Sequence, residues 1–225
     1  QVTEGRIAQI VGARRKSWSR DPALVALRDE VVEILTTLGR VASATELAEA
    51  LIGRRGTSQS DPAVRRALGT AAVRAAWEVD WGLTPRRMRS RRHGETGDNR
   101  MMLALEVDED RDAPDTPSAP ALLNYADRLG KAADALAARD TLAGPGTVLE
   151  VIVAADAAFR ARWPEAQITM DEARMVTLAA AASQDAAANA RLEIYARSLE
   201  PVRALRLAQA GLLLPLAGKP DDEQD

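Results

Sequence analysis

Near residue 82 the apolar spacing of this chain changes period, and that change limits its fold more than any other feature. Upstream, Leu24, Leu27, Val31, Ile34, Leu35 and Leu38 recur at helical intervals, and Leu47, Leu51 and Ile52 do the same. Downstream of Gly82 and Pro85, Met88-Arg89-Ser90-Arg91-Arg92 and Met101-Met102-Leu103-Ala104-Leu105 alternate as strands do. Gly94, Gly97, Asp98 and Asn99 supply a turn between them. Pro22 opens the first of these helices and Gly39 ends it, and Arg40-Val41-Ala42 is a short extended step. Ser43 and Glu46 then form a capping box for the second helix. After a polar loop from Gly53 to Ser60, Asp61 caps a third helix with Pro62 at its first position. That helix runs to about Asp80, with Leu68, Ala71, Ala72, Ala75 and Val79 expected to face inward. The order helix, short strand, helix, helix, hairpin is the layout of a winged helix, assigned to residues 21–107.

Before it, Thr3 is an expected N-cap, and Ile7, Ile10 and Val11 share one helical face. A helix so close to residue 1, with nothing ahead of it to pack on, is expected of a piece of a longer protein. Residues 108–119, Asp-Glu-Asp-Arg-Asp and then prolines, read as an acidic linker. Residues 120–216 read as an alanine-rich helical domain. Leu122, Ala126, Leu129, Ala133 and Leu136 line its first helix, and Val148, Ile152, Ala155 and Phe159 its second. A third helix is expected from a Thr169/Glu172 capping box to about Ala188. Residues 191–197 alternate, a last helix spans 198–211, and 217–225 form a disordered acidic tail. The expected fold class is therefore mainly α: a winged helix-turn-helix with a small hairpin wing, followed by the helical domain.

The net charge of −3 conceals an asymmetry. Residues 1–107 carry 18 Lys+Arg against 13 Asp+Glu, a balance of +5, whereas residues 108–225 carry 12 against 20, a balance of −8. Only the first part has the sign that attracts a polyanion. Its sharpest basic feature is the hairpin, with Arg86, Arg87, Arg89, Arg91, Arg92 and Arg100 against Glu95 and Asp98. The planar guanidinium can donate two hydrogen bonds to one phosphate, which suits such a hairpin to a nucleic-acid backbone. Alternatively, the arginines only keep a strand edge from aggregating. Arg89 and Arg91 take one strand face, and Met88 and Ser90 the other. On the third helix Arg66, Thr70 and Arg74 recur every four residues, as a groove-reading stripe would, though exposed helix faces are commonly charged. Trp77 and Trp81 read first as packing residues and second as stacking platforms, and Trp18 and Trp163 as packing residues.

Enzyme chemistry finds little support. There is no cysteine, so disulfides, thiolate zinc sites and Cys nucleophiles are excluded, and a reducing, cytoplasmic setting fits. His93 is the lone histidine and lacks a partner for a metal site. Gly144-Pro145-Gly146-Thr147 lacks the lysine of a phosphate-binding loop. No kinase catalytic-loop or Asp-Phe-Gly pattern occurs, no cofactor or small-molecule substrate is expected, and no apolar run reaches membrane-spanning length.

Val2-Thr3-Glu4-Gly5-Arg6-Ile7-Ala8-Gln9-Ile10 resembles the recognition helix of sigma-factor region 4, through Val2, Thr3, Arg6, Ile7, Gln9 and Ile10. The resemblance implies that residues 1–20 are a remnant of such a helix-turn-helix. The resemblance adds Arg6 and Gln9 to the expected nucleic-acid contacts. Of the base-touching positions only Gln9 keeps its type, while Glu4, Gly5 and Ala8 depart. The wider order is similar to the C-terminal region of the large serine/threonine kinases of Pgl/BREX phage-defence systems. Trp18-Ser19-Arg20-Asp21-Pro22-Ala23-Leu24, Ala179 to Ser183, Arg191-Leu192-Glu193-Ile194-Tyr195 and Arg203 to Gly211 carry that likeness. It implies a parent that phosphorylates proteins, with this chain as a non-catalytic part. Two readings stay open: weakly specific binding of double-stranded DNA, or a protein-interaction or oligomerisation module. The second would use the winged helix, the acidic helical domain and the apolar Leu212-Leu213-Leu214.

Overall fold

Helix starts in this chain are written by short polar side chains that satisfy the first free backbone N–H groups. In the computed structural model, which describes residues 3–93, 100–138, 145–165, 168 and 170–184, Thr3 caps α1 (Glu4–Trp18) and Asp21 caps α2 (Pro22–Thr37). Ser43 caps α3 (Ala44–Arg55), and Asp61 caps α4 (Pro62–Asp80). Strand β1 (Val41–Ser43) precedes α3, and β2 (Met88–His93) and β3 (Arg100–Leu105) follow α4. Ser118 caps α5 (Ala119–Ala137), α6 covers Pro145–Arg162, and Asp171 caps α7 (Glu172–Ala182). The fold is mainly helical with one small antiparallel sheet, and the order α2-β1-α3-α4-β2-β3 follows the expected sequence of elements.

The three strands are ordered β1-β3-β2, with Val41 opposite Ala104 and Met88 opposite Leu105. Alternation along the strands gives the sheet two apolar faces. Ala42, Met88, Leu103 and Leu105 pack with α2, α3 and α4, around Val31, Leu35, Leu47, Val73 and Ala76. Val41, Met102 and Ala104 pack with α5, α6 and α7, around Leu122, Tyr125, Leu129, Ile152 and Leu178. The sheet is the middle layer between two helical layers, and both of its faces are buried along β1, along residues 102–105 of β3 and at Met88.

Several expectations are corrected. The inward face of α4 consists of Gly69, Val73, Ala76, Trp77, Val79 and Asp80, whereas Leu68 is 53% exposed and Ala71 is exposed. Gly69 sets this rotation: a Cβ there would lie 2.6 Å from Ile52 and 3.1 Å from Ala48, so α3 meets α4 where a side chain is missing. Asp171 caps α7 instead of Thr169, and the helix ends at Ala182, not near residue 188. Trp18 is 39% exposed, while Trp163 stacks on Phe159 at 4.6 Å. The acidic linker is pinned at two points, because Asp112 receives two hydrogen bonds from Arg40 (3.0 and 2.8 Å) and Asp108 one from Arg87 (2.7 Å). Arg40 has a left-handed backbone (φ 70°), a strained state for a residue with a Cβ, and its side chain also donates to the Glu106 carbonyl (2.9 Å). The turn at residues 94–99, the expected elements at 191–211, Leu212–Leu214 and the tail at 217–225 lie outside the described residues.

Candidate nucleic-acid interface

The hairpin arginines divide according to the sheet face they occupy. Arg89 lies opposite Ala104 and Arg91 opposite Met102, on the face that α5 covers. Arg89 pairs with Glu106, and Arg91 pairs with Asp127 and donates to Asn124 (3.0 Å), both on α5. Arg87 is only 14% exposed and pairs with Asp108 at 2.7 Å. Arg87 thus ties the hairpin to the acidic segment and Arg91 ties it to α5, while Arg89 is neutralised by Glu106 directly after β3. Arg92 is different: it shares the alternation of Met88 and Ser90, so it projects on the α2–α4 side, and it is exposed with no carboxylate partner among the described residues. The side chain of Arg100, at the start of β3, lies outside the described set.

Arg86 stacks over the Trp81 ring at 3.7 Å, and Arg15 of α1 lies over the same ring at 4.9 Å. Trp81 and Trp77 meet edge to face at 5.6 Å; Trp77 is buried and packs, whereas Trp81 is 38% exposed. On α4, Arg66, Thr70 and Arg74 all lie on the exposed stripe. Arg74 is committed to Glu78 at 2.6 Å and to the face of Trp77 at 4.5 Å, and Arg15 shares Glu78 at 2.6 Å. Thr70 Oγ1 donates to the Arg66 carbonyl (2.9 Å), while the Arg66 guanidinium has no partner among the described residues. Arg6 donates to Gln9 at 3.4 Å on α1, whose Ile7 and Ile10 are 51% and 48% exposed. The sequence-predicted residues therefore do not form one patch. Arg66, Thr70 and Arg92 stay open, Arg86 is open on one side, and Arg74, Arg87, Arg89 and Arg91 are held by carboxylates.

The partners Glu106, Asp108, Asp112, Asn124 and Asp127 were not among the residues expected to matter. Their signal was present in the opposite charge balances of the two parts, +5 and −8, which are complementary to each other as well as to outside partners.

Two further charged clusters lock the layers. Asp80 is fully buried at the end of α4. It accepts from Arg28 Nε (2.9 Å) on α2 and from the backbone N–H groups of Arg87 (3.1 Å) and Met88 (2.9 Å) entering β2. On the other side of the sheet, Arg174 of α7 reaches across to the carbonyls of Leu38 (2.8 Å) and Val41 (2.5 Å) and to Glu46 (2.5 Å). Burial pushes the Glu46 carboxyl above its ordinary value, and the Arg174 guanidinium only partly offsets that. Among the described residues no group of His, Asp and Glu is arranged to hold a metal ion, and no helix is long and apolar enough to cross a membrane.

No family model and no solved structure matches the chain. It is 49% identical over 228 residues to a protein of Streptomyces coelicolor described as probable kinase PglW. The match takes in 99% of this chain and 14% of that protein, so the chain spans about one seventh of its relative. Over almost its entire length, this chain is homologous to one segment of a probable Pgl kinase.

Proposed function

We propose that this chain is a non-catalytic unit of a kinase-related protein, and that it holds a nucleic-acid backbone with the exposed face of α4 and the α4 side of the hairpin. The observation that carries this reading is the division of the arginines. Arg66 and Arg92 are exposed, unpaired with any described carboxylate, and on the α2–α4 side of the sheet, while the cations on the other face are neutralised. Thr70 adds a hydroxyl on the stripe of Arg66, and Arg86 offers the edge of its stacked guanidinium. The winged-helix order of elements, in which the third helix and the hairpin meet a duplex, supports the same face. So few free cations favour weak, sequence-tolerant contact in which the electrostatic term dominates. In the longer protein, this unit would bring a protein-phosphorylating domain of a phage-defence system to nucleic acid.

The test is a titration of fluorescent duplex with the chain across salt concentrations. Binding at ~50 mM salt whose logarithm falls with log[salt] at about −0.9 per phosphate neutralised is the expected result. Absence of duplex binding at that salt refutes the reading. A second reading is favoured by a separate observation: Ile7, Ile10 and Val11 on α1 and Val64 and Leu68 on α4 are exposed apolar residues of the kind that dock proteins. Light scattering after size exclusion, with and without duplex, separates the two, because self-association without a DNA-dependent shift supports protein docking.

A further inference from the structure

We propose that the loop between α3 and α4 is a phosphorylation site, in which the hydroxyls of Thr57 and Ser58 accept phosphate from a serine/threonine kinase that reads the arginines before them. Residues 56–61 are all exposed and lie between the end of α3 and the cap of α4. Thr57 Oγ1 accepts from the Gln59 backbone N–H (3.1 Å), which leaves its own hydroxyl proton free, and Ser58 Oγ has no partner among the described residues. Arg54 and Arg55 stand three and two positions before Thr57. Their side chains are 46% and 50% exposed and engage only Glu30 and Glu33 on the surface of α2. Such pairs exchange readily, so both guanidiniums can turn to the carboxylates of a kinase cleft.

Other described hydroxyls that follow arginines within three positions, Ser17, Ser43, Ser90 and Thr177 among them, are held in regular structure. Ser17 lies within α1, and Ser90 is opposite Leu103 in the β2–β3 ladder. None of these backbones can lie extended in a cleft without giving up its helix or sheet hydrogen bonds, whereas the loop has none to lose. In the reaction the hydroxyl oxygen attacks the γ-phosphorus of ATP. The new O–P bond forms as the bond to the β,γ-bridging oxygen breaks, the hydroxyl proton passes to a carboxylate of the kinase, and ADP leaves. The product places a charge of about −1.5 to −2 between Arg54 and Arg55 on one side and Arg65 and Arg66 on the other. That phosphate competes for Arg66 and weakens the contact proposed above. This consequence rests on the nucleic-acid reading, whereas the modification itself does not.

The experiment treats the whole chain with Mg·ATP and an arginine-directed serine/threonine kinase, then maps phosphate on tryptic peptides. We expect one phosphate on the peptide Gly56–Arg65, none there in Thr57→Ala/Ser58→Ala, and a rate lowered roughly tenfold in Arg54→Ala/Arg55→Ala. An unmodified Gly56–Arg65 peptide, or earlier modification of Ser17 or Ser90, overturns the site. Duplex titration of the phosphorylated chain then reads the consequence, with a loss of roughly tenfold expected and no kinase effect in the double alanine variant. If the peptide is modified but the untreated chain never binds duplex, the nucleic-acid reading falls and the site stands. If the untreated chain binds and phosphorylation leaves its affinity unchanged, the switch is overturned.

Discussion

Replacing Asp80 by alanine removes the group on which α2, α4 and the hairpin converge. Its carboxylate is 0% exposed; one oxygen takes Arg28 Nε and Nη2 at 2.9 and 2.8 Å, and the other takes the Met88 N–H at 2.9 Å. Alanine would leave the N–H groups of Arg87 and Met88 unsatisfied, at about 1–3 kcal/mol each. It would also strip a guanidinium that is only 12% exposed of its buried partner, a change worth about 3–5 kcal/mol where no other partner exists. Arg28 keeps Asp29 at 2.7 Å, and the two costs overlap, so the expected loss is about 3–4 kcal/mol. In a domain of this size that lowers Tm by roughly 6–16 °C. Asp80→Asn keeps the shape and one acceptor and should lose about half as much. Urea unfolding followed by tryptophan fluorescence measures both, and a cycle with Arg28→Met should return a coupling of about 1–3 kcal/mol. A loss below about 1 kcal/mol for Asp80→Ala, with an unchanged m-value, would refute the idea that this carboxylate ties the hairpin to the helices.

Other outcomes follow from the same packing. Gly130→Ala sets a helix-propensity gain of about 1 kcal/mol against a Cβ placed 2.4 Å from the Ala182 carbonyl oxygen on α7. Backbone does not yield as a side chain does, so thermal unfolding should show a net loss of about 1–3 kcal/mol. The Asp112 carboxyl is raised by burial, but hydrogen bonds from Arg40 and the Asp108 N–H outweigh this and hold it below its ordinary value. Its stabilising effect is therefore present above the unfolded-state value of 3.8 and lost as pH falls through the lower folded value. Asp112→Asn should accordingly cost about 1–2 kcal/mol at pH 7, with the difference from the native chain vanishing in acid, as urea titrations across pH would measure. Glu46 runs the other way: its raised folded pKa favours stability below the unfolded value of 4.5, an advantage that fades as pH rises through the folded value.

The helices and their caps were legible because capping is local. Thr3, Ser43 and Asp61 sit where the chain must stop being extended, and each accepts from the helix it precedes. The strand pairing followed from alternation, including the separation of Arg89 and Arg91 from Met88 and Ser90. Features decided by tertiary packing were not legible. Leu68 reads as core by spacing, but the close approach of α3 at Gly69 turns it to solvent. Thr169 and Asp171 are both good caps, and nothing local to the sequence chooses between them. Above all, a run of hairpin arginines has the same sequence signature whether it faces phosphate or carboxylate. That difference comes from α5 lying across one sheet face and bringing Asp127 to Arg91.

The central claim is that the nucleic-acid surface lies on the α4 side of the sheet, while Arg91 serves the seam with α5 and Arg89 is held by Glu106. It is tested most directly by titrating one fluorescent duplex, over a range of salt, with Arg66→Ala/Arg92→Ala and with Arg89→Ala/Arg91→Ala. The account predicts that the first pair weakens binding and flattens the salt slope by about 0.9 for each phosphate no longer neutralised. The second pair should lower stability while leaving affinity and slope nearly unchanged. A drop in affinity confined to Arg89→Ala/Arg91→Ala, with Arg66→Ala/Arg92→Ala binding as the native chain does, would contradict it.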